Sequence, residues 1–250
     1  MAQMIRYEIK NAMGNVFAIF FGIIFPIIMT LVFSSLLKSQ VPADQFGKAM
    51  TQLFITNLLM SPLALLFIGF AALFSQEIEK DITTRMVLFG FSEQKQLKAK
   101  FVAQALSLVV AVTVYSLTVL PILKIDTPSL FGVLVLMGAV IVLSFLYFVL
   151  AYSIAVLARK FSVTYGITMT FYFVTMALSG MMGIQYDQLP SGIQVIARLL
   201  PTTYIVKDVP KLWTVSSYNL MPMLQSFLTF AAITGLIYMF AMHKKARRIG

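Results

Sequence analysis

The chain has 250 residues, of which 60% are hydrophobic and 11% charged, with a formal net charge of +10. Soluble domains carry about 25% charged residues, so the composition excludes an ordinary soluble globule and fits one membrane domain with no sizeable soluble companion. With no cysteine and one histidine, disulfides, haem attachment and thiolate metal sites are excluded, and the positive charge reads as basic residues on cytoplasmic loops rather than a nucleic-acid footprint.

Residues 1–14 place Met4, Ile5, Ile9 and Met13 at helical spacing, with Arg6, Glu8 and Lys10 between them. This predicts an amphipathic helix lying in the headgroup plane. The apolar run after it exceeds the roughly 7–15 residues of a signal-peptide core and lacks a small-residue cleavage site, so no cleavage is expected. The first span is predicted over Val16–Leu37, which holds no charge and is kinked at Pro26. A short polar loop, 38–52, leads to a second span over Leu53–Phe74.

Residues 75–100 form a charged island. An acidic cluster with Glu77, Glu79, Lys80 and Asp81 is followed by Arg85, the apolar patch Met86, Val87, Leu88 and Phe89, then Gly90 and a basic run. Further spans are predicted over Phe101–Leu123, Leu130–Leu157, Phe161–Met182 and Leu220–Met242. Between the last two, residues 183–219 are too polar to cross and too apolar for a free loop. Pro190, Pro201 and Pro210 divide them into short helices expected to dip into the interface. One such helix presents Ile193, Ile196, Leu199 and Leu200 and ends at Pro201, while Trp213 and Tyr204 suit the headgroup level. His243, beside Lys244 and Lys245, reads as a solvated interfacial side chain.

Six spans put both termini on one side of the membrane. The termini, the island and the Arg159–Lys160 turn together hold thirteen Lys and Arg, Arg248 among them, and the opposite loops six. The positive-inside rule makes the first set cytoplasmic. Residues 183–219 then face outside. No Asp, Glu, Lys, Arg or His lies inside a span, so coupling to an ion gradient through a buried carboxylate is not expected. The chain shows no catalytic set, no metal site and no phosphate-binding loop.

The island and the whole-chain pattern resemble the permease subunit of type-2 ABC transporters, whose six-helix half is similar to the membrane domain of ABCG-like transporters. Glu77, Glu79 and Lys80 match the opening of that family's cytoplasmic segment. Met86 to Leu88 match its apolar run, Ser92 its serine and Lys100 its lysine. Asp81 and Ile82 stand where Gly-Thr is common, Gly90 where Pro is, and Ala99 where Gly is. Ser179-Gly180, Leu189-Pro190, Leu200-Pro201-Thr202 and Tyr204 carry the likeness past the fifth span.

The resemblance implies an all-α integral membrane fold of one permease domain, 1–250. Its parts are an N-terminal amphipathic helix (1–14), six transmembrane helices, a cytoplasmic coupling region (75–100) containing a coupling helix after the second span, and short external re-entrant helices (183–219) forming a lid. It also implies a bacterial plasma-membrane exporter, multi-pass, with both termini cytoplasmic. Two copies, or a pair of related permeases, would form the pore amid membrane lipid. ATP and Mg would be bound by a separate cytoplasmic ATP-binding subunit gripping the segment from Glu77 to Gly90. The substrate path would be lined by Asn57 and Ser61 on the second span and by Thr164, Thr168, Phe171, Thr175 and Ser179 on the fifth; the same stripes also suit helix packing in lipid. An uncharged interior favours an amphipathic or lipophilic cargo such as a drug, an antibiotic or an antimicrobial peptide. Polysaccharide, lipid-linked cargo and sodium remain alternatives within the family. A membrane scaffold or sensor that docks a partner through the island is the rival from another class, and an intramembrane enzyme lacks the groups it needs.

Overall fold

The computed structural model describes residues 1–184, 186–215 and 217–249; Gln185 and Ser216 of the 183–219 segment, and the Arg248 side chain counted in the basic set, lie outside the described residues. Helix α1 (Ala2–Met13) is followed by α2 (Val16–Leu37), α3 (Phe46–Glu79) and α4 (Ile82–Leu88). Then come α5 (Glu93–Val119), α6 (Leu130–Ala158) and α7 (Phe161–Leu178). Short helices α8 (Ser191–Ala197) and α9 (Pro201–Leu212) precede α10 (Met221–Ile249). Six of these, α2, α3, α5, α6, α7 and α10, are long and apolar enough to cross a membrane. The described residues contain no strand.

Helix α3 is the axis of the bundle. It runs 34 residues, well beyond the predicted second span. Its helix begins inside the expected polar loop and ends inside the charged island. Leu59, Met60, Leu63, Phe67 and Ala71 are fully enclosed. An aromatic ladder fixes its neighbours. Phe70 stacks on Phe148 of α6 at 4.1 Å between centroids, Phe74 on Tyr152 of α6 at 5.2 Å, and Phe67 meets Phe171 of α7 at 4.9 Å. Lipid supplies no hydrophobic drive between helices, so close packing and hydrogen bonds must hold them together. The outer face of α2 is accordingly a ridge of Phe20, Ile24, Ile28, Val32 and Leu36 at four-residue spacing, all exposed.

Pro26 acts on α2 through the backbone. It has no N–H to return to the Gly22 carbonyl one turn earlier. A π-helical segment, Phe20–Ile24, precedes it, and the Ser61 hydroxyl of α3 donates to that Gly22 carbonyl at 2.7 Å. One turn on, Asn57 Nδ2 donates to Thr30 Oγ1 at 2.9 Å, and the hydroxyls of Thr30 and Tyr115 of α5 also lie 2.9 Å apart. Side chains thus tie α2, α3 and α5 together at membrane depth.

Gly69 lets α2 approach α3 closely. A Cβ there would lie 2.7 Å from Ala18 Cβ. Gly69→Val is expected to cost about 1–3 kcal/mol by overpacking, and adding Ala18→Gly should return part of it. Thermal unfolding in detergent measures both; additive effects of the two changes would contradict the contact.

The segment over residues 183–219 departs from expectation in three ways, the first being that Pro210 lies inside α9 and does not divide it. Pro201 opens α9 at its first position, where its missing N–H costs nothing, and the preceding helix stops at Ala197, leaving Ile193, Ile196 and Leu199 exposed. Trp213 is no headgroup anchor. It is 4% exposed, and its indole N–H donates to the Asp126 carbonyl at 3.0 Å. The Ser129 amide in turn donates to the Trp213 carbonyl at 2.7 Å, clamping α9 to the start of α6.

Candidate coupling site

The island folds into a short helix between two tight turns. Asp81 takes φ 55, the left-handed conformation that Gly serves most easily and Asp tolerates. Gly90 takes φ 87, which proline's ring forbids. Around Gly90 the Phe91 amide donates to Met86 O at 3.0 Å and the Gly90 amide to Val87 O at 2.9 Å, a Schellman cap that ends α4. The positive φ at Gly90 thus accounts for the missing proline, whereas Asp81 holds a conformation that the glycine common in the family would take more easily.

The capped helix leaves its apolar tip uncovered. Leu88 is 82% and Phe89 79% exposed, and Val87 and Phe91 are also exposed, while Met86 is half-buried against the base. The patch expected over Met86 to Phe89 is thus displaced toward Val87–Phe91. Arg85 donates from Nη2 to the Lys80 carbonyl at 2.8 Å, bracing the first turn. Gln96 of α5 donates to Phe91 O at 2.8 Å.

The base below this tip is held by charges. Lys100 Nζ lies 2.7 Å from Glu8 Oε1 and 2.6 Å from Glu77 Oε1, with all three side chains no more than 10% exposed. Asn11 Nδ2 also donates to Glu77 Oε1, at 3.3 Å. This triad joins α1, the end of α3 and the first turns of α5. Glu79 accepts the Phe161 amide at 2.8 Å, placing a carboxylate at the positive end of α7. Lys245 of α10 pairs with Glu93 at the start of α5, at 2.6 Å. The termini, the island and the 159–160 turn therefore share one end of the bundle.

The sequence placed Glu8 among the polar residues of α1. In the structure Glu8 turns inward, with Met4, Ile5 and Asn11 partly buried beside it. The signal in the sequence is its position four residues after Met4, on the apolar stripe; a carboxylate there needs a cation, and Lys100 supplies it.

The other predicted residues lie inside the protomer. Asn57 and Ser61 are buried at the α2–α3 contact described above. Thr164, Thr168 and Thr175 on α7 are fully buried, Phe171 is half-buried, and Ser179 contacts the hydroxyls of Thr202 and Thr203. Thr168 returns its proton to the Thr164 carbonyl at 3.0 Å. Among the described residues the hydroxyls of Thr164, Tyr172 and Thr175 have no hydrogen-bond partner, so the inward side of α7 carries unsatisfied donors in an apolar setting.

At the opposite end, a cleft of about 500 Å³ is walled by Tyr186, Arg198, Tyr204, Lys207, Asp208 and Tyr218. Tyr218 donates to Asp208 Oδ1 at 3.1 Å; burial first, and the Asp208 charge second, hold its phenol above the usual value. Among the described residues no group of three or more His, Cys, Asp or Glu side chains is placed to hold a metal. Compared with known proteins, the chain matches no curated protein and no solved structure. The family model for the ABC-2 type transporter matches residues 1–211.

Proposed function

Because the chain belongs to the ABC-2 type transporter family, and is therefore an ABC transporter permease whose relatives normally work with a cytoplasmic ATPase subunit, we propose that it drives export by seating the α4 tip in that ATPase. The observation that carries this reading is the bare apolar tip of α4, with Leu88 82% exposed, on a base tied to α1, α5 and α7. An exposed apolar patch on a stiff base marks a docking surface. Motion of the tip would be passed into the bundle through Glu79 to α7 and through the triad to α1 and α5.

In this reading the end bearing both termini is cytoplasmic, as the distribution of basic residues favours, and the membrane is a bacterial plasma membrane. Two copies work as a dimer by alternating access, with ATP and Mg on the partner subunits. The outer cleft and α8–α9 form the lid. The cargo is amphipathic or lipophilic, since the buried charges, Glu8, Glu77 and Lys100 at one end and Asp208 at the other, leave the stretch between them lined by hydroxyls and aromatic faces.

Recovery of tagged protein in mild detergent from its native host, with ATPase assay of the eluate, tests the reading. A co-purifying ATP-binding subunit with vanadate-sensitive turnover supports it. A preparation free of ATPase, or one carrying a signalling partner, would move the protein to the scaffold class. The path itself has a sharper test in Thr175→Val, which removes an unpartnered hydroxyl at nearly constant shape. An altered cargo profile is expected; an unchanged profile with stability equal or higher would assign Thr175 to packing.

A further inference from the structure

Beside the base of α4 lies a cavity of about 450 Å³ that the transport reading does not use. It opens where α3, α6 and α10 end and α5 begins. Its inner wall is apolar, built by Phe74, Val156 and Met242. Its rim carries Arg159, Lys245 and Glu93. Lys245 is paired with Glu93 at 2.6 Å, whereas Arg159, at the end of α6, makes no ion pair among the described residues. Two cations against one carboxylate leave the rim net positive above an apolar floor. The aromatic pair Tyr152 and Tyr238, 6.1 Å between centroids, also lines the cavity.

From this gradient we infer that the cavity binds an anionic amphiphile, a phospholipid whose phosphate meets Arg159 and whose acyl chain lies along Phe74, Val156 and Met242. The site sits at the level where membrane-crossing helices end, and basic pockets between such helices take anionic headgroups. The inference needs only that the helices cross a membrane; it does not rest on the export reading. Thr83 and Thr84 of α4 also line the cavity. A bound lipid would therefore sit between the docking helix and α10, and the stiffness of the tip would depend on the lipid.

The test is native mass spectrometry of the protein extracted from nanodiscs of phosphatidylcholine and phosphatidylglycerol, with no ATPase present. Wild type should retain phosphatidylglycerol in preference. Arg159→Gln should lower that retention about fivefold, the worth of one cation near a lipid phosphate. Glu93→Gln should raise it, because Lys245 is released to the ligand, and a loss of folding cannot produce that opposite sign. Val156→Trp, which fills the floor and leaves every charge in place, should abolish retention. Equal retention of the two lipids by wild type, or shifts of the same sign in the Arg159 and Glu93 variants, would overturn the site. Displacement of the lipid by millimolar glycerol phosphate would overturn the amphiphile and identify a free phosphate ester as the ligand.

Discussion

Replacing Lys100 by Met is expected to destabilise the protein by about 3–5 kcal/mol, the cost of breaking a buried ion pair by removing one partner. Lys100 is the single cation between two carboxylates, 2.7 Å from Glu8 and 2.6 Å from Glu77, and all three side chains are nearly excluded from solvent. Without it, two negative charges face each other in a low-dielectric site, and among the described residues neither makes another ion pair. The melting temperature in detergent should fall by roughly 6–20 °C at this chain length. Lys100→Met with Glu8→Gln and Glu77→Gln should recover most of the loss, since the amides need no counter-charge. Lys100→Arg should not act as wild type, because a planar fork does not replace a compact ammonium serving two oxygens from different helices. If Lys100→Met melted like wild type, the triad would not be what binds α1 to the bundle.

The second large effect is expected at the tip of α4. Leu88→Asp with Phe89→Asp should abolish recovery of the ATP-binding subunit and the vanadate-sensitive turnover that depends on it. Both side chains are about four-fifths exposed, so the fold has little to lose: surface changes stay within about 0.5 kcal/mol. An interface anchor, by contrast, costs about 2 kcal/mol or more when removed, and two buried carboxylates would add their desolvation. The contrast of an unchanged melting temperature with a lost partner is the signature. Met86 is a poorer target, because it is half-buried against the base and its loss would mix folding with docking. Wild-type turnover in the double variant would remove the tip from the coupling path and leave α4 as a solvated turn.

Gly90 shows what motif matching misses and backbone geometry explains. At a position where proline is common in relatives, the chain ends α4 in a left-handed cap at φ 87, and only a residue free at positive φ serves there. The charged island was legible as a separate element for the same local reason: turn residues and charge interrupt the apolar pattern on either side of it. Its grip on the bundle was not legible. Glu79 to the Phe161 amide spans 82 residues and Lys100 to Glu8 spans 92, and nothing in local spacing joins such distant groups.

The sequence by itself determined where the chain crosses. A run without charge is what lipid demands, and the first span, Val16–Leu37, has the same limits in the structure as in the hydropathy pattern. At both ends of α3 and at the start of α5 polar residues continue the helix past the apolar run, because helical backbone bonding does not stop at the lipid boundary, whereas α5 and α7 stop at Val119 and Leu178, short of the expected Leu123 and Met182. Which way each helix faces was decided only by the tertiary structure. In a span that is apolar all round, hydropathy carries no direction. The inward turn of Glu8, the burial of Trp213 and the enclosure of Thr164, Thr168 and Thr175 follow from where the neighbouring helices pack, and close packing is a property of the assembled bundle rather than of any segment alone.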